Sequence, residues 1–234
     1  MRTLNILEAA KTCRARVVFA STAAAYGDVV ESKLPVLETH PLNPQSFYGL
    51  TKVGVEKYLA LYHKHYGLDY VVCRFANVYG ERQGDKGEGG VISIFAKRIV
   101  AGQAIEIYSD GKQTRDFIYA GDVARGICRA MTTKNVNTAY NLSTQTETNL
   151  LELVEIMSEF SGRKIAFHFN AARSGDIYRS MLSNQMAREY LGWVPEVSLR
   201  EGVNRTMNYF KNKGRIVKLS ATLSQNGPHM VFGS

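Results

Sequence analysis

The chain has 234 residues, 45% hydrophobic and 21% charged, with 20 glycines and 5 prolines; this is enough for one large domain or two small ones and excludes a disordered or fibrous polymer. The formal net charge is +8, but the basic residues are scattered rather than set in a stripe, which argues for an anionic small-molecule ligand and against nucleic acid. No apolar run is long enough to span a bilayer, the start MRTLNILEAAKTCRAR is not built like a secretory signal, and Cys13, Cys73 and Cys128 have no metal or redox spacing, so a reduced, cytoplasmic protein without a membrane partner is expected.

Thr3 to Arg14 carries Leu4, Ile6, Leu7, Ala10 and Cys13 at helical spacing and predicts an amphipathic helix. Val17 to Ala20 is a short apolar run without polar alternation, which suits a strand of a parallel sheet buried on both faces. It leads into Ser21-Thr22-Ala23-Ala24-Ala25-Tyr26-Gly27. Hydroxyls at the carboxyl end of a parallel strand stand where open α/β sheets meet their ligands. Prolines 35, 41 and 44 make the next segment a loop. Ser46 then caps a helix from Phe47 to Tyr66 that Gly67 stops.

In that helix Tyr48 and Lys52 lie four residues apart, one turn along the same face. An ammonium beside a phenol favours the phenolate, so the pair suits acid–base work, and a hydroxyl from Ser21 or Thr22 would share the same reacting oxygen. The strand Tyr70–Phe75 completes a βαβ unit. Residues 77–90 read as a polar loop. Its Gly84, Gly87 and Gly90 imitate a dinucleotide fingerprint, but they start too far beyond the strand and carry Asp85 and Glu88 where a pyrophosphate would sit. Further on, the pattern predicts a helix at Val91–Ala101, a strand at Ile105–Tyr108, a strand at Phe117–Tyr119 and a helix at Asp122–Met131. A strand at Ala139–Leu142, a Thr148-capped helix at Leu150–Phe160 and an alternating run at Ile165–Phe169 follow. A Ser183-capped helix at Gln185–Leu191 and a last helix at Leu199–Phe210 complete the pattern, with residues 213–234 as a disordered tail.

Five ordered stretches now converge: STAAAYG (21–27), SFYGLTK (46–52), RFANVYGERQ (74–83), SDGKQTRDFIYAGDVA (109–124) and RSGDIYRSMLSNQMAREYLGWVP (173–195). In these the chain resembles the extended short-chain dehydrogenase/reductase family, most closely its UDP-glucose 4-epimerase branch, from residue 1 to about residue 212. The resemblance implies an α/β fold: an incomplete Rossmann (doubly wound parallel) sheet with a smaller C-terminal substrate domain. Residues 1–80 would form the later half of the NAD-binding domain, with parts of 112–142 packed on it, and 81–212 would hold the nucleotide-sugar.

Carried over by motif, Tyr48 looks like the catalytic acid/base, Lys52 its partner on the nicotinamide ribose, and Thr22 the hydroxyl on the reacting oxygen. The nicotinamide half of NAD would lie against Ala20, Ser21, Tyr48, Lys52, Phe75, Asn77 and Val78. Thr22, Asn77, Val91, Ile107, Tyr108, Arg115, Arg173 and Asp176 would meet the UDP-sugar, the two arginines on its diphosphate. Guanidinium forks suit a diphosphate, although Arg115 paired with Asp116 or Asp122, and Arg173 as a solvated loop charge, are the plainer readings. Tyr26 reads as structural packing.

The related 4,6-dehydratases place Asp-Glu after the catalytic threonine; here those positions are Ala23 and Ala24, which move no proton. The family's opening βα units, with the true fingerprint, are not in this sequence. The expectations are therefore a strand at Val17–Ala20 with an open edge, weak NAD binding, and an inactive polypeptide or nucleotide-sugar-binding fragment as an alternative to the epimerase. UDP-glucuronate, met by Arg179 or Arg82, is the alternative substrate. Helices 3–14 and 47–66 match those that pair in family dimers, so a homodimer is a further expectation.

Overall fold

The computed structural model describes residues 2–84, 90–172 and 177–225, with side chains from residue 3 through residue 213. In chain order the elements are α1 (Arg2–Cys13), β1 (Val17–Thr22), α2 (Phe47–Tyr66), β2 (Tyr70–Phe75), β3 (Asn77–Tyr79), α3 (Val91–Val100), β4 (Ile105–Tyr108), β5 (Thr114–Arg115), β6 (Phe117–Tyr119), α4 (Ala120–Thr132), β7 (Thr138–Leu142), β8 (Thr148–Asn149), α5 (Leu150–Ser161), β9 (Phe167–Asn170), α6 (Gln185–Leu191) and α7 (Leu199–Gln225).

The main sheet is parallel, in the order β1-β2-β7. The register sets Thr22 beside Phe75 and Phe75 beside Leu142, so these residues share the carboxyl edge. The central strand β2 is buried along Val71–Arg74, whereas β1, which pairs only with β2 among the described strands, is half-buried and exposes Ala20. Leu7 of α1 and Leu59 of α2 pack with Leu68 and Val72 in one apolar cluster of the sheet. A second cluster joins Val71, Cys73, Tyr140 and Leu142 of the sheet to Tyr26, Ile118, Val123 and Trp193. A third core gathers α3, α5 and α7 through Ile92, Phe95, Leu153, Met157, Val203 and Met207.

Helix α2 begins and ends as its sequence dictates. The Ser46 hydroxyl accepts the Gly49 amide proton at 3.0 Å, and Gly67 adopts the left-handed conformation at φ 68°. Four expectations need correction. Residues 77–79, read as loop, form β3, because their backbone pairs in parallel with β6. Thr148 is not the cap of α5: it pairs with Arg115 in β8, and Asn149 forms a reciprocal capping box with Glu152. Asn184 takes the cap position of α6 with no side-chain cap bond, while the Ser183 hydroxyl accepts the Gln185 amide proton at 3.4 Å. Helix α7 runs on to Gln225 rather than stopping at Phe210. Its first three turns are anchored by Val203, Met207 and Phe210, and extending a nucleated helix through proline-free sequence costs little.

Candidate functional site

The carboxyl edge of β1 and the start of α2 are brought together by a glycine. A Cβ added at Gly49 would stand 2.6 Å from the Ala24 carbonyl oxygen and 3.0 Å from Pro44 Cβ. Only a residue without a side chain lets the first turn of α2 press this closely on the turn after β1. That contact sets Tyr48 beside Thr22. Both line a cavity of about 250 Å³ together with Ser21, Phe75, Asn77, Val78, Gln83 and Val91. A second cavity, of about 190 Å³, is lined by Ala24, Gln45, Ser46, Asn77, Arg115, Ile177 and Ser180. Asn77 belongs to both, so the two cavities are neighbours.

Donors and acceptors around the first cavity are only partly spent. Lys52 Nζ donates to the Ala20 carbonyl at 2.8 Å and sits 5.6 Å from the Tyr48 ring centroid. An ammonium has three protons, so donors remain for a ligand. Thr22 Oγ1 accepts from the Ala24 amide at 3.2 Å, which leaves its own proton to give. Tyr48 is 40% exposed, so a ligand reaches its hydroxyl.

Behind this edge lies a closed polar network. Ser21 donates to Glu56 Oε1 at 2.5 Å. Arg74 grips the same carboxylate through Nε at 3.2 Å and Nη2 at 2.7 Å. It also donates to the Tyr26 hydroxyl at 2.8 Å, and Tyr26 donates to Asn141 Oδ1 at 2.7 Å. Burial pushes the Tyr26 phenol up to about 12. Burial works against the charge on Arg74, but Glu56 and Tyr26 outweigh it and raise its pKa. Tyr26 is thus a buried structural group.

Of the residues singled out from sequence, Ser21, Thr22, Tyr48, Phe75, Asn77, Val78 and Val91 meet in the first cavity, and Arg115 stands in the second. Ala20 contributes its carbonyl to Lys52. Ile107 is wholly buried in the third core, and neither it nor Tyr108 lines either cavity. Arg173 and Asp176 lie outside the described residues. Arg115 donates from Nη1 to the Thr114 carbonyl at 2.8 Å, while Asp116 accepts from Thr144, Gln145 and Leu182, and Asp122 from Arg125, Glu196 and Val197. Arg179 is engaged by Glu147 and Glu31, and Arg82 is exposed. Sequence reasoning passed over Gly49, Gln83, Gln45, Ser46 as a lining residue, Ile177 and Ser180. For Gly49 the signal was present: a glycine inside the first turn of a capped helix has a packing reason.

A wider open hollow of about 980 Å³ is lined by Lys33, His40, Gln145 and Arg188 among others. It shares no lining residue with the two cavities, and no carboxylate lines it. Among the described residues no helix is long and apolar enough to cross a membrane, and no cluster of side chains suits a metal ion.

Comparison with known proteins gives the chain a family. The model of the NAD dependent epimerase/dehydratase family matches residues 1–143. A Methanocaldococcus jannaschii protein with the provisional name UDP-glucose 4-epimerase is 44% identical over 215 residues, covering 91% of this chain and 69% of that protein. The crystal structure of UDP-glucose 4-epimerase with UDP-glucose from Thermotoga maritima superposes with a TM-score of 0.86 at 37% identity, covering 90% of this chain and 68% of that one. The Thermus thermophilus UDP-glucose 4-epimerase complex with NAD gives a TM-score of 0.82 at 35% identity, covering 89% and 68%.

Proposed function

Because the chain belongs to the NAD-dependent epimerase/dehydratase family, we propose that its two neighbouring cavities hold a UDP-hexose and that it inverts the C4 hydroxyl, interconverting UDP-glucose and UDP-galactose. The observation that carries this reading is the meeting of Thr22, Tyr48 and Asn77 in one cavity, with Arg115 in the next. Tyr48 takes the proton of the C4 hydroxyl and later returns it. Thr22 donates its proton to the C4 oxygen, holding it in line with the phenol. Lys52, one turn from Tyr48, keeps donors for a ligand beside the phenol. Arg115 and Asn77 hold the diphosphate, so binding energy remote from C4 keeps the nucleotide fixed while the sugar turns over.

The family's cofactor is NAD; when bound it accepts the hydride from C4 and gives it back. The residues present fit its nicotinamide half: Lys52 has unspent donors for ribose hydroxyls, beside an exposed Tyr48 and the exposed Ala20 at the outer strand. Among the described residues, no glycine-rich turn leads straight from a sheet strand into a helix N-terminus, the usual seat of the pyrophosphate. That observation supports a second reading, in which this polypeptide binds the nucleotide-sugar without turning it over.

Two further choices follow from the side chains. Dehydration lacks its acid and base, since the turn after Thr22 is Ala23–Ala25. A sugar carboxylate would find Arg179 already paired, so a neutral hexose is favoured over a uronic acid. We also read the exposed Phe47, Leu50, Tyr58 and Leu61 of α2, with Ile6 of α1, as the face of a homodimer; Leu61→Glu then lowers the mass seen by sedimentation, and an unchanged mass refutes that reading.

The function is tested by proton NMR of UDP-glucose incubated with the chain and NAD. Galactose anomeric signals are expected with the wild type and absent with Tyr48→Phe, whose UDP affinity stays within about twofold. Turnover by Tyr48→Phe refutes the acid/base role. UDP-glucose binding by calorimetry without turnover selects the second reading.

A further inference from the structure

We propose that the open hollow beside α6 is a second ligand site, separate from the cavities of Tyr48 and Arg115, and that it takes a phosphate monoester. The phosphate is held by Lys33, Arg188 and Ser183, and the ester group rests on the apolar wall of Leu34 and Leu37.

The hollow, of about 980 Å³, has loop residues 32–41 on one side and residues 144–145 and 183–188 on the other. Its walls are stitched together. The Val36 amide donates to the Met181 carbonyl and the Ser183 amide to the Val36 carbonyl, both at 2.9 Å. Asn184 donates through Nδ2 to the Ser143 carbonyl at 3.0 Å, and through its backbone amide to Gln145 Oε1 at 3.3 Å. A concave space of this size, with fixed walls, suits a small molecule.

The charge that lines it has one sign. Lys33 and Arg188 supply two cations, His40 adds an imidazole, and no carboxylate is among the lining residues. The carboxylates flanking the walls are engaged: Glu31 with Arg179, Glu38 with the Asn141 amide, Asp116 with Thr144, Gln145 and Leu182, and Glu189 with Tyr190. Neither Lys33 nor Arg188 gives a side-chain proton to any other described residue.

Exposed cations alone are ordinary; Ser183 is not. It is 3% exposed, and its hydroxyl accepts the Gln185 amide proton but donates to no described residue. A buried donor left unspent is costly, and native proteins leave few of them unexplained. The hollow that Ser183 lines is the space from which an acceptor can come. A phosphate brings several anionic oxygens, enough for a guanidinium fork, an ammonium and a hydroxyl together. Leu37, 51% exposed, stands with Leu34 on the opposite wall. Covering that wall with an apolar group removes it from water, which favours an ester over the bare ion.

Amide NMR of the ¹⁵N-labelled full chain tests this, with phenyl phosphate and inorganic phosphate titrated at constant ionic strength. Saturating shifts are expected at Gln145, Ser183 and Asn184, with a Kd of about 1 mM for phenyl phosphate and about tenfold weaker binding of inorganic phosphate. Arg188→Gln and Lys33→Gln should each weaken phenyl phosphate about tenfold. Both residues are exposed, so the fold should survive, and amide shifts far from the hollow check that it does; if one variant fails this check, the other decides. Absence of saturation at these amides, shifts confined to Asn77 and Arg115, or wild-type affinity in a folded variant overturns the site. Equal affinity for the two probes overturns the ester. None of these outcomes bears on UDP-glucose turnover, so the nucleotide-sugar reading stands or falls separately.

Discussion

Two polar clusters share the carboxyl edge of β1 and β2, and they are built on opposite terms. In the inner one, Ser21, Glu56, Arg74, Tyr26 and Asn141 are all buried and each finds a protein partner. In the outer one, Thr22, Tyr48 and Gln83 line a cavity and Lys52 stands beside Tyr48, with donors and an acceptor to spare. Closed polar groups spend their hydrogen bonds on holding α2 to the sheet. Open ones keep theirs for a ligand. The first cluster is what allows the second to stay incomplete without losing its geometry.

If that division is right, the inner cluster should answer to stability and the outer one to binding. The largest effect is expected from Arg74→Met. It leaves the Glu56 carboxylate buried without its cation, and about 3–5 kcal/mol of folding free energy should be lost in urea denaturation. Tyr48→Phe, by contrast, should move stability by less than about 0.5 kcal/mol, as an exposed substitution does. Comparable losses in the two variants would erase the distinction.

Asp116 offers a second test of what closure means. It is fully buried and accepts from the Thr144 amide and hydroxyl and from the amides of Gln145 and Leu182. Burial raises its pKa from 3.8 to about 6, against the pull of those donors. Between these values the folded state holds a proton that the unfolded chain has released. The contribution of Asp116 is therefore fully present below pH 3.8 and is lost as pH rises through about 6, an effect of order 2–3 kcal/mol. Stability measured across this window should fall more steeply with pH in the wild type than in Asp116→Asn; parallel curves would contradict the assignment.

Gly49→Ala sharpens the boundary between the clusters. Alanine at an exposed helix position would gain up to about 1 kcal/mol in propensity, but here the methyl meets the Ala24 carbonyl oxygen, and overpacking against backbone costs about 1–3 kcal/mol. The clash should win by a small margin in thermal unfolding, and UDP-glucose affinity should fall because Tyr48 moves off Thr22. A stabilised variant with intact binding would show that the close approach does not set the site.

Much of this was legible in the residues, and the reasons differ by place. Helix α2 could be delimited because Ser46 and Gly67 carry its boundaries locally, and β2 because its apolar run is continuous. Tyr48 and Lys52 stood out because acid–base chemistry needs those groups one helical turn apart, whereas only the family resemblance chose Thr22 over Ser21. Strand β3 was not legible, since three residues become a strand only by pairing with β6, forty positions away in parallel register. The cap of α5 was misplaced by one residue although Asn149 and Glu152 already had capping-box spacing. Ile107 looked like a ligand contact but its strand alternates, turning it into the core while Tyr108 faces the other way. Gln83 closed a family-like stretch, but its place in the cavity was not legible, because Val78 holds its amide only once the chain has folded.

A crystal structure of the chain with UDP-glucose tests the central claim most directly. The sugar is expected in the cavity between Thr22 and Tyr48, its C4 oxygen within about 2.6–3.2 Å of both hydroxyls, with the diphosphate beside Asn77 and Arg115. A sugar lodged in the hollow lined by Lys33 and Arg188, or one whose C4 faces away from Tyr48, would contradict it.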